Sequence, residues 1–358
     1  MIRIWNIFKG RLPWAGSGAP HDQLHSTERM RAILDRERMR ADRGNASFAL
    51  LTFTIHRSAE AGDLATLAGI LSDRIRATDD AGLLGARRVG VVLPETPAEG
   101  AWKLSQDVCD LLPQRMRRPD REVYVYPSLD DAADPTAEVE EDETPQGRPA
   151  RSMHVLFAQP LPAWKRAIDV IGAFTALVLL SPLLLIVAVA IKLTSPGPVI
   201  FRQGRDTIAG RRFTMYKFRT MVPDAERAKA ALRQFSEQDG PAFKMTNDPR
   251  ITRLGKFLRA TSIDELPQLF NVLLGDMSLV GPRPLPCDES GDCEVWQRRR
   301  LDVTPGITCI WQVHGRSTVS FSEWIRMDLR YVESRSLAND LWLLVQTIPA
   351  VALRRGAR

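Results

Sequence analysis

One uncharged run of 22 residues constrains this chain more than any other feature. It extends from Val170 to Ile191 and reads VIGAFTALVLLSPLLLIVAVAI. At about 1.5 Å per residue, a helix of this length is ~33 Å long, which is enough to cross the ~30 Å hydrocarbon core of a bilayer. The competing interpretation, a buried helix of a soluble domain, is disfavoured by the length of the run. The chain is therefore predicted to associate with a membrane through this segment.

Ser181 and Pro182 lie at the middle of the apolar run. A proline inside a helix cannot donate one i→i−4 hydrogen bond, and it kinks the helix. Two cations precede the run and one follows it, so the charges favour neither orientation across a membrane. We expect a re-entrant helix over residues 167–192 that is broken at the Ser-Pro pair, and a spanning helix is the open alternative.

Charge is segregated along the 358 residues. The chain carries 49 Lys and Arg against 43 Asp and Glu, which gives a net charge of +6. Residues 128–147 contain eight acids and no base, which leaves about +14 on the remainder. This excess favours partners that carry phosphate, and no nucleic acid is predicted among them. The four cysteines form no CxxC pair and have no zinc-site spacing, which fits a reduced cytosolic compartment.

Apolar runs and breaks divide the chain into four parts. Residues 1–27 are predicted to be a leader, without the long apolar segment of a secretory signal. Strand and helix patterns alternate over residues 28–127, as in a small α+β domain. Residues 128–159 are predicted to be an acidic linker that cannot bury a core. Residues 160–358 hold the membrane segment and the remaining motifs. The predicted fold class of the whole chain is α+β.

Three segments follow one another between residues 35 and 112: FALLTFTI, ATDDAGLLG and VGVVLPETPAEGA. They resemble the GGDEF family, whose fold is an α/β sandwich and whose active members are diguanylate cyclases. The family signature is degenerate here, because Arg87 and Arg88 stand in place of its acidic pair. Thr54 and His56 stand where the resemblance implies metal-binding carboxylates. Since two-metal catalysis needs those carboxylates, cyclase activity is not expected.

Arg76 and Asp79 form an RxxD pattern shortly before Gly85. At this spacing the resemblance implies a cyclic di-GMP site, and an arginine fork with a carboxylate suits a phosphate and a guanine edge. The favoured alternative is that the pattern is a remnant and that the domain serves for dimerisation or as a spacer. We accordingly expect a homo-oligomer, most simply a dimer, and keep cyclic di-GMP as the competing hypothesis.

The residues that suggest chemistry follow the membrane segment. Basic residues are interleaved with two apolar strands over residues 198–219, and the Asp264-Glu265 pair follows a second cationic set. A basic run is usually a solvated surface, and a lone acidic pair often belongs to the first turn of a helix. Carboxylates at successive helical positions cannot face the same way. This favours divided roles, in which one carboxylate attacks a phosphorus and the other binds a metal.

Several motifs occur in a fixed order: WKRAIDVIGA…LLSPLLL, SPGPVIFRQGR, MYKFRTM, ITRLGKFLRATSIDELPQLFNVLLGDMSLVGPRPLP and VTPGITCIWQVHGR. Residues 164–350, which contain them, resemble the bacterial sugar transferase family of monotopic phosphoglycosyl transferases. The resemblance implies transfer of a sugar-1-phosphate from a UDP-sugar to polyprenyl (undecaprenyl) phosphate through a covalent aspartyl-phosphosugar intermediate. Such a reaction initiates exopolysaccharide or other glycan assembly. The resemblance also implies the re-entrant helix rather than the spanning one.

Within these motifs, Asp264 resembles the family's nucleophile and Glu265 its neighbouring Mg²⁺-binding acid. Carboxylate attack on phosphorus would give an acyl phosphate and divide one displacement into two. Mg²⁺ would lower the charge repulsion that an anionic nucleophile meets. The cations predicted to bind substrate phosphate are Arg205, Lys217, Arg259 and Arg283. Further motif positions without a clear role are Gln203, Asp276, Gln312, Arg316 and Asp328.

The C-terminal stretch 323–353 is predicted to form amphipathic helices that lie in the membrane interface, with ordinary core packing as the alternative. These features together predict a monotopic protein on the cytoplasmic face of the bacterial inner membrane, in contact with its lipid. The competing function is a catalytically idle membrane scaffold whose nucleotide-sensing domain regulates partner glycosyltransferases. Asp264 and Glu265 argue against this function, because a scaffold needs neither carboxylate.

Overall fold

The computed structural model describes residues 24–44, 46–56, 61–127, 150–314 and 319–352. The chain divides into two units, Met1–Phe157 and Ala158–Arg358. The predicted leader lies almost wholly outside the described residues. The elements of the N-terminal unit are α1 (Thr27–Gly44), β1 (Phe48–Thr54), α2 (Ala61–Arg74), β2 (Asp80–Gly85), β3 (Arg88–Pro94), α3 (Ala98–Asp110), β4 (Asp120–Tyr126), β5 (Arg151–Ser152) and α4 (His154–Phe157).

The N-terminal unit is built on a five-stranded sheet with the order β2-β3-β1-β4-β5. β1 lies at its centre, pairs antiparallel with β3 and β4, and is buried along almost its whole length. Its Leu51 and Phe53 pack with Leu67 and Leu71 of α2 in the core. This arrangement of helices and sheet agrees with the predicted α+β class. The sequence pattern missed β2, because its segment DAGLLG contains two glycines and no β-branched residue.

The segment that follows the acidic run belongs to the N-terminal unit. β5 pairs in parallel with β4, with Arg151 opposite Tyr124. Met153 is fully buried, and the His154 ring packs edge-on against the Tyr126 ring. Residues 151–157 thus lie within the folded N-terminal unit, although the sequence analysis placed them in the linker. The acidic part of that linker, residues 128–149, lies outside the described residues.

The C-terminal unit begins with a long apolar helix and continues with a β-hairpin, short helices and a second small sheet. Its elements are α5 (Ala163–Thr194), β6 (Ile200–Asp206), β7 (Arg212–Phe218), α6 (Ala225–Leu232), α7 (Arg253–Ala260), α8 (Gln268–Leu274), β8 (Ser278–Val280), α9 (Cys287–Gly291), β9 (Gly306–Thr308), α10 (Ile310–His314), α11 (Phe321–Ser334) and α12 (Leu337–Ala352).

Helix α5 contains the predicted membrane segment. Among the described residues it alone is long and apolar enough to cross a membrane, by length and composition. Pro182 lies inside the helix and cannot donate to the carbonyl of Val178, four residues earlier. The Ser181 hydroxyl donates to that carbonyl instead, at 2.8 Å. The Ser-Pro pair therefore satisfies the carbonyl that the proline leaves unpaired, which matters most where no water is present.

The first turns of α5 are attached to the rest of the unit by polar contacts. Lys165 Nζ lies 2.5 Å from an oxygen of Asp340, and both side chains are buried. The Arg166 guanidinium donates to two backbone carbonyls at the end of α8, at 2.6 and 2.7 Å. Asp169 accepts from the Ser278 hydroxyl at 3.0 Å and from the backbone N–H of Leu279 at 2.9 Å. Lys165 and Arg166, the two cations that precede the apolar run, therefore make contacts within the C-terminal unit.

Large apolar side chains are exposed on four helices of the C-terminal unit. On α5 half of the apolar run is exposed, with Leu179 at 72%, and Leu193 after the run is 81% exposed. An exposed apolar surface of this size on a soluble protein marks an interaction or membrane surface. Outside α5, the exposed apolar residues on these helices are Phe257 on α7, Phe270 and Leu274 on α8, and Leu337, Leu341, Trp342, Val345 and Ile348 on α12.

Candidate active site

The Asp264-Glu265 pair occupies a tight connection between α7 and α8. After α7 ends, Ser262 adopts a left-handed conformation with φ 57° and ψ 16°, and a 3₁₀ turn covers Ile263–Glu265. This conformation is uncommon for a residue other than glycine and is found at functional sites. The reversal places Arg259, near the end of α7, close enough to interact electrostatically with both carboxylates.

Glu265 lies between two cations. Lys217 Nζ of β7 is 3.3 Å from Glu265 Oε1, and Arg283 Nη1 is 3.0 Å from Glu265 Oε2. Arg283 Nη2 also donates to Oε1, which makes the pair bidentate. Burial alone would raise the pKa of Glu265, but Arg283 and Lys217 hold this pKa well below its usual range. Glu265 is therefore ionised at neutral pH.

Asp264 has a different environment from its neighbour. Its side chain is buried, and burial, followed by the negative charge of Glu265, raises the pKa of Asp264 to about 6. Lys217, Arg259 and Arg283 oppose this rise without cancelling it. The pKa values of these two adjacent carboxyl groups are thus widely separated, as in active sites where two carboxylates have separate roles.

The remaining predicted cations are held by neutral partners. Arg205 donates to Gln203 Oε1 from Nε at 3.0 Å and from Nη2 at 2.6 Å. Arg259 Nε donates to the Thr220 hydroxyl at 2.9 Å. Burial lowers the pKa of Arg205 to about 10 and that of Lys217 to about 8. A cation without a full complement of anionic partners is available to an incoming phosphate.

The Gly281–Pro286 loop, which carries Arg283, has its backbone fixed by contacts from other elements. The carbonyl of Pro282 accepts from the backbone N–H of Gly306, at 2.9 Å. The carbonyl of Arg283 accepts from Arg300, and the carbonyl of Pro284 accepts from Arg205 at 2.5 Å. Three successive carbonyls are thereby held, in addition to the restriction from the prolines on either side of Arg283, Pro282 and Pro284.

Two residues that support this geometry were assigned no role by the sequence analysis. Arg300 pairs with the fully buried Asp328 at 2.8 Å, which explains the Asp328 motif position. Asn271 of α8 accepts from the backbone N–H of Tyr216 at 3.0 Å and donates to the carbonyl of Thr214 at 2.7 Å. The Asn271 side chain makes the two hydrogen bonds that a neighbouring strand would make to β7, and it so joins α8 to β7. Neither contact has a local sequence signal, since each joins residues distant in the chain.

A single cavity of ≈ 970 Å³ contains the predicted site residues of the C-terminal unit. Trp311 and Trp324, with ring centroids 4.4 Å apart, also line it. This volume is within the range of small-molecule sites. The structure therefore brings together the six predicted residues Arg205, Lys217, Arg259, Asp264, Glu265 and Arg283.

The side chains of this cavity fit a metal ion that takes only one or two of its ligands from the protein. No cluster of three or more His, Cys, Asp or Glu side chains suited to a metal occurs among the described residues. Mg²⁺ is commonly bound by one or two carboxylates, with water and substrate phosphates at the other positions. Asp264 and Glu265 provide this minimal set, and the ionised Glu265 suits a hard cation.

Gln203 and Gln312 also line this cavity, and the other predicted residues lie elsewhere. Ser181 and Pro182 are in α5 and away from the carboxylate pair in sequence. In the N-terminal unit, Asp79 accepts from the backbone N–H of Arg76 at 2.8 Å and so closes a turn after α2. Binding of cyclic di-GMP there stays a prediction. Arg316 lies outside the described residues, and Asp276 lies 3.7 Å from Arg211 at the turn of the hairpin.

Comparison with known proteins identifies the C-terminal unit. The bacterial sugar transferase family matches residues 161–354. This is more than half of the chain, and it contains the cavity and α5. The chain belongs to the bacterial sugar transferase family.

Three relatives show how far this similarity extends. The galactosyl transferase CpsE of Streptococcus agalactiae is 43% identical over 195 residues, which cover 54% of this chain and 43% of the relative. The exopolysaccharide production protein ExoY of Sinorhizobium fredii is 39% identical over 204 residues, which cover 54% of this chain and 87% of ExoY. The UDP-glucose:undecaprenyl-phosphate glucose-1-phosphate transferase of Caulobacter vibrioides is 41% identical over 197 residues, which cover 52% of this chain and 69% of the relative.

Among solved structures, the GGDEF domain of DgcB from Caulobacter crescentus in complex with c-di-GMP shares 13% sequence identity with this chain, with a TM-score of 0.27. The match covers 32% of this chain and 80% of that domain. At these values the likeness implies neither an activity nor a ligand for the N-terminal unit.

Proposed function

We propose that the C-terminal unit transfers a sugar-1-phosphate from a UDP-sugar to polyprenyl (undecaprenyl) phosphate and so initiates exopolysaccharide or other glycan assembly. The names of ExoY and of the Caulobacter relative support this reaction. The observation that carries the proposal is the pair of unlike carboxylates, Asp264 and Glu265, in a cavity whose lining includes the four predicted phosphate-binding cations Arg205, Lys217, Arg259 and Arg283.

In the proposed reaction Asp264 is the nucleophile. One of its carboxylate oxygens bonds to the phosphorus next to the sugar, and the bond from that phosphorus to the bridging oxygen breaks, which releases UMP. An oxygen of the acceptor phosphate then attacks the same phosphorus. The bond to Asp264 breaks, which yields the polyprenyl diphosphate sugar and restores the carboxylate.

The cations and Glu265 have supporting roles in this proposal. Arg205, Arg259 and Arg283 bind phosphate oxygens whose charge grows during transfer. Lys217, which is 3.3 Å from Glu265 and interacts electrostatically with Asp264, would bind a further phosphate oxygen of the substrate. Glu265 would hold Mg²⁺, and Asp264 stays available as the nucleophile. A bound Mg²⁺ would neutralise charge on the diphosphate.

We further propose that the protein is monotopic on the cytoplasmic face of the inner membrane. A proline inside α5, and exposed apolar residues on α7, α8 and α12 besides α5, support a unit that lies in one leaflet. In this arrangement α5 is re-entrant and α12 is interfacial. Homo-oligomerisation through the N-terminal unit remains a prediction from the sequence.

The proposal is tested by measuring UMP release from UDP-sugars in detergent, with and without polyprenyl phosphate. Asp264→Asn should abolish product formation and leave folding and membrane association intact. Asp224→Asn is the matched control, because Asp224 is exposed on the surface and pairs only with a neighbouring arginine in the structure. Near-normal transfer by Asp264→Asn would refute the covalent route. No transfer from any UDP-sugar by the wild-type protein would favour the idle scaffold.

A further inference from the structure

A second cavity, distinct in character from the catalytic one, lies beside α5. It is an open groove of ≈ 1050 Å³ between α5, α8 and the β6–β7 hairpin. Most of its lining is aliphatic or aromatic, and the polar side chains are few. Its lining includes Phe174, Ser181 and Ala188 of α5, with Phe270 and Leu274 of α8. The groove therefore runs along the apolar helix and reaches the Ser-Pro pair.

The strand register places Arg205 and Lys217 on one face of the hairpin and the hairpin residues that line the groove on the other face. Ile200 is paired with Phe218, and Arg202 with Tyr216, so these four side chains share one face of the ribbon. All four line the groove. Arg205 and Lys217 project from the opposite face, because each lies an odd number of residues along its strand from the groove residues.

Arg202 stands where the groove meets the catalytic cavity. Ile200, Arg202 and Phe218 line both spaces, so the groove and the catalytic cavity are adjacent at these residues. The Arg202 side chain is exposed, and its guanidinium carbon is 5.9 Å from the centre of the Tyr216 ring. Arg202 is thus the one cation among the described residues that line the groove, and it also lines the cavity that contains Asp264.

We propose that this groove binds the isoprenoid chain of the acceptor and that Arg202 binds the acceptor's phosphate, an inference that rests on the proposed function. The chemistry of the site matches a ligand with one long apolar chain and one terminal anion. An ordinary phospholipid could fill the apolar part, but its headgroup has no reason to enter the catalytic cavity. The hairpin then separates two substrates, with the sugar nucleotide on the Arg205–Lys217 face and the lipid on the Arg202 face.

The role of Arg202 is tested by steady-state kinetics. Arg202→Gln should raise the KM for polyprenyl phosphate at least about tenfold, the loss expected for one charge-assisted hydrogen bond. The KM for the UDP-sugar should stay within about twofold, since Arg205 and Lys217 are untouched. Arg212→Gln is the control, because Arg212 is exposed on the same hairpin and lines neither space. Equal changes in both KM values would overturn the assignment.

The role of the apolar part of the groove is tested with a variant that obstructs the groove. Ala188→Phe would place a ring in the groove, whereas Val189→Phe would place the same ring on the lipid-exposed face, since Val189 is 50% exposed and does not line the groove. Ala188→Phe should reduce capture of the acceptor, and Val189→Phe should not. Equal behaviour of the two variants would contradict the proposal.

Capture is measured independently of turnover with a diazirine-bearing polyprenyl phosphate on the full-length protein. Cross-links should fall within residues 174–188 and 267–274 and should be displaced by unlabelled polyprenyl phosphate. Displacement by phosphatidylglycerol to the same extent would make the groove an ordinary lipid-contact surface. Because this readout needs no sugar transfer, a failed transfer assay with intact, specific cross-linking would refute the proposed reaction and leave the lipid site in place.

Discussion

Two neighbouring side chains in one turn acquire opposite acid-base behaviour from their surroundings. Glu265 has two cationic partners within hydrogen-bond distance and stays ionised, whereas burial dominates at Asp264 and raises its pKa to about 6. A carboxylate that is only just ionised at neutral pH is less strongly solvated and a better base than an exposed one. The same environment makes its reactivity sensitive to pH.

The rate should follow a bell-shaped pH profile. Activity needs ionised Asp264, so kcat/KM should rise as pH increases through about 6. It also needs protonated Lys217, whose pKa burial lowers to about 8, so kcat/KM should fall as pH increases beyond that value. Lys217→Arg should move the alkaline limb to higher pH, because a guanidinium stays charged. An acid limb near the ordinary pKa of aspartate, about 4, would contradict the burial argument.

Asp328 should act on the reaction only through Arg300 and the Arg283 loop. Asp328→Asn leaves the buried Arg300 guanidinium without its anion, which should cost about 3–5 kcal/mol of stability. It should also lower kcat for sugar transfer, because the Arg283 carbonyl loses a fixed donor.

The control is Glu333→Gln, which removes an exposed pair on the same helix, 3.9 Å from Arg299. This variant should change stability by less than about 1 kcal/mol. Chemical denaturation and steady-state kinetics on both variants measure the two effects. If Asp328→Asn lost stability but kept wild-type kcat, Asp328 would be a purely structural residue.

The site residues that the sequence predicted are those whose chemistry is local. Asp264 and Glu265 are adjacent, and Arg283 lies between prolines, so their motifs are visible in the linear chain. Arg300 and Asn271 act through backbone atoms 17 and 55 residues away, so pattern and composition give no sign of them. Contacts of this kind depend on the tertiary fold.

Helices and strands with a strong pattern of apolar residues could be predicted from the sequence, and elements without such a pattern could not. The apolar run of α5, the buried β1 and the paired strands of the hairpin match the sequence pattern closely. β5 has two residues and depends wholly on pairing with β4, so no local propensity could indicate it. Because of this pairing, the N-terminal unit extends beyond the acidic segment and ends at Phe157.

The Ser-Pro pair should determine the path of α5 through the membrane. Pro182→Leu restores the missing hydrogen-bond donor and removes the ring clash, which should straighten the helix and shift part of the population to a spanning orientation. Leu183→Ile, at the adjacent position, keeps the proline and should have little effect. The spanning fraction is measured by labelling, and a wild-type labelling pattern for Pro182→Leu would show that the proline does not set the path.

The one long apolar helix in the described part of the chain, α5, begins the C-terminal unit, and the N-terminal unit precedes it in sequence. If that helix is re-entrant, both flanks lie in the cytoplasm, and the sugar nucleotide and any regulator of the N-terminal unit reach the protein from one compartment. If α5 spans the membrane, the N-terminal unit and the part of the C-terminal unit that follows α5 face different compartments. The contacts of Lys165 and Arg166 are internal, so these two charges do not indicate an orientation, in agreement with the balanced flanking charge of the sequence.

We therefore predict that both ends of α5 are protected from a membrane-impermeant thiol reagent in intact cells. Ala150→Cys and Thr194→Cys, at exposed positions before and after the apolar run, are introduced singly after replacement of the four native cysteines. Both should label only after the inner membrane is permeabilised, and sugar transfer by each variant should confirm that the fold is intact. Labelling of one site and protection of the other in intact cells would establish a spanning helix and refute the monotopic arrangement.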